Sequence, residues 1–137
     1  MRARVLVVDD EEDLLELVTF HIQSAGWEAV TATNAADALE RIAASRPDLI
    51  LLDLMLPDLD GLSLCEMFRR SPQTAAIPIL MLTGLSREPT RQLALQVGAD
   101  DFITKPFSPR ELMQRVTRVI EGRGPRGTGL TGPLISN

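Results

Sequence analysis

Five times along this chain a short apolar run gives way to a longer stretch with helical spacing, and few folds accommodate that alternation. The runs are residues 5–8 (VLVV), 27–33 (WEAVTAT), 48–56 (DLILLDLML), 77–84 (IPILMLTG) and 100–106 (DDFITKP). The first and third contain continuous apolar segments, the pattern of strands covered on both faces in a parallel sheet. The intervening segments read as helices. Asp10 can cap the first, which carries Leu14, Val18, Ile22 and Ala25 on one face and ends at Gly26. Asn34 caps the second, which carries Ala38, Leu39 and Ile42 and stops before Pro47. A turn cluster, PDLDG, leads into a third helix with Leu62, Leu64, Cys65 and Phe68, and the fourth ends at Gly98. The last starts at Ser108, with Pro109 at its first position and Glu111 as capping-box partner. This predicts an α/β fold: a doubly wound five-stranded parallel sheet with five helices, wound by right-handed crossovers.

Composition narrows the function classes. With 137 residues, 45% hydrophobic and 24% charged, the chain is one folded domain's worth. A net charge of -5 argues against direct, sequence-independent nucleic-acid binding by this segment. The single cysteine, Cys65, excludes an internal disulfide framework and fits a reducing, cytoplasmic setting. No apolar stretch is long enough to span a membrane, and the N-terminus does not read as a signal peptide. Residues 1–121 are expected to fold, whereas residues 122–137, with five Gly and two Pro, read as a flexible linker or tail.

In sheets of this kind, ligands bind outside the carboxyl ends of the strands, where the strand order reverses. The strand exits carry Asp9 and Asp10, then Asp53, Thr83 and Lys105. In the flavodoxin-like order 2-1-3-4-5, the exits of the first and third strands are adjacent, so three carboxylates, a hydroxyl and an ammonium converge. The acids alone repel and raise one another's pKa. A Mg²⁺ ion resolves that repulsion through oxygen ligands, and Lys105 adds a fixed cation. Together these are the parts needed to hold a phosphoryl group. Asp53, ending the most apolar strand without an adjacent acid, is best placed as an oxygen nucleophile that forms an aspartyl phosphate.

The segments VVDDEED, LLDLMLPDLDG, MLTG and GADDFITKPF, in that order, resemble the receiver domain of two-component response regulators over roughly residues 3–121. The resemblance implies that Asp53 is the phospho-acceptor for a sensor histidine kinase. It implies that Asp9 and Asp10 hold Mg²⁺ together with Asp53 and the backbone carbonyl of Met55. It makes Thr83 and Lys105 the phosphoryl-binding pair, Thr83 and Phe102 the conformational switch, and the Lys105-Pro106 bond cis. Arg91, Asp101, Glu111 and Arg115 match charged positions that pair across a homodimer in the winged-helix, DNA-binding branch, through the face of the fourth helix, fifth strand and fifth helix. Gln96 and Thr117 break another pair expected there.

Such a domain is not an enzyme beyond its own phosphorylation and slow autodephosphorylation. Its output domain or partner protein is not identified by these residues. Two rivals are a phosphorylation-independent interaction module and a Mg²⁺-dependent aspartyl-nucleophile phosphatase. The phosphatase wants a second Asp two positions after the nucleophile, where Met55 stands. Met55 and Leu85, each two residues after a site residue, are apolar and predict restricted water attack and a long-lived phosphorylated state. Taken singly, each acid could be a cap or turn acid and Lys105 a surface charge. His21 reads as a surface or packing residue, and Cys65 and Trp27 as packing residues. Asp100 and Asp101 read as solvated turn acids, and Glu11, Glu12 and Asp13 as first-turn acids suited to the helix dipole.

Overall fold

The computed structural model describes residues 2–84 and 88–122, and of Glu88 only the backbone. Leu85 and almost all of the expected tail lie outside the described residues. Strands and helices alternate as the hydrophobic pattern requires: β1 (Arg4–Val8), α1 (Glu12–Ser24), β2 (Glu28–Ala32), α2 (Ala35–Ala44) and β3 (Leu49–Asp53). They continue with α3 (Gly61–Arg70), β4 (Ile79–Thr83), α4 (Glu88–Gln96), β5 (Asp101–Thr104) and α5 (Pro109–Gly122). The sheet is parallel throughout, in the order β2-β1-β3-β4-β5.

Side chains alternate across the sheet and feed two cores. Val5, Val7, Leu49, Leu51, Leu80, Leu82 and Ile103 face α1 and α5, meeting Leu15, Val18, Ile22, Leu112, Val116 and Val119. Leu6, Val8, Ile50, Leu52, Ile79, Met81 and Phe102 face the other helices, meeting Ala38, Leu64, Cys65, Phe68 and Ala94. Every residue of β3 and β4 is buried, which is why those runs carry no alternating polar residue. Cys65 is fully buried as a small core side chain, and Trp27 packs against the α1/α5 core. His21 stacks edge to face on Phe20, with ring centroids 5.3 Å apart.

Helix ends show where local chemistry held and where it gave way. Asn34 caps α2 through the Asp37 N–H (2.7 Å), Asp60 caps α3 through Ser63 (2.9 Å), and Ser108 caps α5 through Glu111 (3.0 Å). The carboxylate of Asp58, in the PDLDG turn, also accepts the N–H groups of Ala35 and Ala36 and so ties that turn to the start of α2. These bonds hold its pKa below the usual carboxylate range.

Asp10 does not cap α1. The helix begins one residue later than expected, with Glu11 at the cap position and no side-chain cap bond. Asp9 instead accepts the Glu11 N–H at 2.9 Å and turns the chain out of β1. The buried stripe of α1 is centred on Leu15 rather than Leu14, Ala25 is exposed, and on α2 Leu39 is left 40% exposed.

Asp100 and Asp101 are not solvated turn acids. Asp100 accepts from Arg69 (2.8 Å) and from the Ile79 N–H (2.8 Å), with only 5% of its side chain exposed. Asp101 opens β5 and pairs with Arg115 at 3.0 Å. Both corrections are tertiary in origin, because their partners lie 31 and 14 residues away.

Candidate functional site

β1 and β3 pair directly and end at the same level, so Asp9 and Asp53 emerge side by side at the carboxyl rim. With Asp10 they form a trio, each offering a carboxylate oxygen within 4.8 Å of the others. Asp9 is fully buried and Asp53 nearly so, while Asp10 is exposed. From the far side β5 delivers Lys105, whose N–H donates to the Thr83 carbonyl at 2.7 Å, and the Lys105-Pro106 bond is cis. The Lys105 ammonium donates to Asp9 Oδ2 (2.8 Å), Glu11 Oε1 (2.8 Å) and Asp53 Oδ2 (3.2 Å). Asp10, Glu11, Asp53, Met55, Thr83 and Lys105 line one open cleft of about 520 Å³.

Charge in this cleft is unbalanced. Among the described residues, four carboxylates (Asp9, Asp10, Glu11 and Asp53) face one ammonium. Burial, and then repulsion from Asp9, push the Asp53 carboxyl above its ordinary 3.8, outweighing the Met55 N–H (3.2 Å) and Lys105. For Lys105, burial acts against the charged form, but its hydrogen bonds to Asp9 and Glu11, aided by attraction to Asp9 and Asp53, prevail and hold it above its ordinary value. Hard oxygen donors carrying this much net negative charge suit a small dication such as Mg²⁺. Both oxygens of Asp9 already accept hydrogen bonds, from Glu11 N–H and Lys105, whereas Asp10 is open to solvent.

Of the residues singled out from sequence, Asp9, Asp10, Asp53, Met55, Thr83 and Lys105 are brought together. Phe102 is not at the rim; it is 2% exposed in the core facing α4, in register with Met81 two residues before Thr83. Glu11 was expected only as a helix-dipole acid, yet it is an ion-pair partner of Lys105. A hydrogen-bonding carboxylate next to an acid pair leaves no periodic signature, so pattern reading missed it.

Gly61 was also missed as a site determinant. Its N–H donates to the Leu54 carbonyl at 2.7 Å. A Cβ there would collide with the Asp53 carbonyl and sit 2.7 Å from the Leu54 Cα. The glycine lets the turn close directly over the backbone that carries Asp53. A second cleft, of about 600 Å³ between α2 and α3, is lined by Leu39, Ile42, Met67 and Phe68 among others and has no carboxylate in its lining. Volume alone does not locate the chemistry.

Comparison with known proteins identifies the family. The family model described as response regulator receiver domain matches residues 5–117. The alkaline phosphatase synthesis transcriptional regulatory protein PhoP of Bacillus subtilis is 43% identical over 120 residues, covering 88% of this chain and 49% of that protein. The phosphate regulon transcriptional regulatory protein PhoB of Pseudomonas aeruginosa is 45% identical, covering 88% of this chain and 53% of that protein. The chain thus spans about half the length of the curated relatives it matches. Among solved structures, a putative response regulator from Chloroflexus aurantiacus superposes with a TM-score of 0.83 at 34% identity, covering 88% of this chain and 99% of that one. The chemotaxis response regulator CheY4 of Vibrio cholerae gives 0.82 at 34% identity, covering 87% and 99%.

Proposed function

The chain belongs to the response regulator receiver domain family, and we propose that it accepts a phosphoryl group on Asp53 from a sensor histidine kinase and signals by a conformational change. The observation that carries this reading is the convergence of Asp53, Asp9 and Asp10 within 4.8 Å beside Lys105, at the switch point of the sheet. A carboxylate oxygen of Asp53 attacks the phosphorus of a phosphohistidine. The O–P bond forms as the P–N bond breaks, and the imidazole leaves with the electron pair. Lys105 offsets charge on the transferring oxygens, and Thr83, a buried residue at the lining of the same cleft, would supply a hydroxyl donor to them. A Mg²⁺ ion held by Asp9, Asp10, Asp53 and the carbonyl of Met55 would supply further neutralisation of the phosphoryl oxygens.

Output follows from population shift. Phe102 stands in register with Met81, two residues before Thr83 on the same face of β4, so a Thr83 drawn toward the phosphoryl group would act on the face that Phe102 packs against. The α4-β5-α5 face would then be read by an output domain, a partner protein or a second copy. Asp101 and Arg115, expected across a homodimer, already pair within one chain, so a dimer would have to share or exchange that bond. Among the described residues no helix is long and apolar enough to cross a membrane; we place the domain in the bacterial cytoplasm, where a histidine kinase's catalytic part would meet it.

Incubation with acetyl phosphate and Mg²⁺ tests the reading by intact mass. The native chain should gain one phosphoryl group and Asp53→Ala none. No gain in the native protein, or an equal gain in Asp53→Ala, would overturn it. Met55 is apolar and lines the cleft with Asp53, and slow release is expected from it; loss of the group within seconds of donor removal would refute that part.

A further inference from the structure

Lys105 has three ammonium hydrogens and three carboxylates around it, so every donor is already engaged. A phosphoryl group on Asp53 must take at least one of them. Asp9 cannot easily yield: it is fully buried, and its other oxygen accepts the Glu11 N–H at 2.9 Å. Releasing Lys105 would cost this buried carboxylate its direct donor at 2.8 Å, even with a cation shared among Asp9, Asp10 and Asp53. Asp53 is the residue that carries the incoming group. Glu11 differs from both, because its side chain is 63% exposed and re-enters water at little cost.

We propose that Glu11 is a regulating residue that acts through Lys105: its carboxylate occupies the ammonium donor a phosphoryl group needs, and its charge repels the anionic phosphodonor at the cleft mouth. The inference rests on the receiver reading of the site. Glu11 holds Lys105 over the rim before reaction and is the carboxylate exchanged for phosphoryl oxygen during it. It therefore sets the rate of phosphorylation without touching the phosphorus. Its place at the start of α1 carries no side-chain cap bond, so a neutral isostere leaves the helix end intact.

The test compares native protein, Glu11→Gln, Glu11→Asp and Asp53→Ala, with acetyl phosphate as donor and Mg²⁺ saturating for each. Phosphorylation is followed by intact mass across a series of salt concentrations. Glu11→Gln should react faster than native at low ionic strength, by roughly three- to tenfold, the size of one screened charge interaction near a surface. The advantage should shrink as salt rises, and Glu11→Asp, which keeps the charge, should stay close to native. An equal or slower rate for Glu11→Gln, or an advantage independent of salt, overturns the role of Glu11 alone, provided the native chain is modified and Asp53→Ala is not. No modification of the native chain overturns the receiver reading and this inference together.

Discussion

Two constellations of carboxylate and cation sit at opposite ends of the same sheet, and they are built to different rules. At the amino end, Arg69 donates to Gly98 O (2.9 Å), Ala75 O (3.1 Å), Ile77 O (2.6 Å) and Asp100 (2.8 Å). Asp100 in turn accepts the first N–H of β4. Cation and anion are matched, both are largely buried, and much of the remaining hydrogen bonding goes to backbone. At the carboxyl end, Lys105 serves Asp9, Glu11 and Asp53 at once, with Asp10 nearby and the cleft open to water. The first arrangement fastens α3 to the β4 and β5 entrances. The second keeps a surplus of negative oxygen at the rim, with Asp53 biased toward its neutral form. Balanced charge with satisfied partners is scaffolding; unbalanced charge in an open cleft marks a candidate site, which on the proposed reading takes a cation and a phosphoryl group.

Breaking the scaffold should have the largest effect. Arg69→Ala leaves Asp100 buried without its cation and three carbonyls short of a donor, and should destabilise the fold by about 3–5 kcal/mol in urea titration. A loss below 1 kcal/mol would erase the contrast between the two ends. Gly61→Ala touches the junction between scaffold and site. The added methyl meets the Asp53 and Leu54 backbone, so it should cost about 1–3 kcal/mol and also slow phosphorylation of the fraction that remains folded. An unchanged rate in folded Gly61→Ala would show that Asp53 does not depend on this turn for its placement.

The smallest effect, and the one of opposite sign, belongs to the rim. Asp53 has a folded pKa raised above 3.8. The folded state therefore holds this proton more tightly than the unfolded chain, and the stability it contributes is complete below about pH 3.8 and lost as pH rises through the folded value. Asp53→Asn, with a chelator present, should match the native protein in acid. It should melt higher at neutral pH, the smallest of the three changes. A native protein that melts higher than Asp53→Asn at neutral pH would mean that the rim is as well balanced as the Arg69 end.

Much of this was legible along the chain. Five apolar runs separated by helical spacing led directly to strand count, helix count and parallel pairing, because both faces of β3 and β4 had to be covered. Asn34 and Ser108 were readable as caps since each bonds three residues onward. Asp100 was misread because its partner, Arg69, lies 31 residues back, and nothing local distinguishes a clasped aspartate from a solvated one. Glu11 was misread for the same reason, since Lys105 is 94 residues away.

By itself the sequence determined the alternation of elements and which residues leave each strand. It also settled that acids, a hydroxyl and a lysine stand at those exits, because periodicity and strand ends are local properties of the chain. Tertiary structure alone decided how those groups share charge. Lys105 lies between three carboxylates, Asp9 is sealed and Asp10 is open, and Gly61 must be bare to let the turn close over Asp53. Distance and burial set the strength of every electrostatic interaction, and neither exists until the five strands are laid side by side.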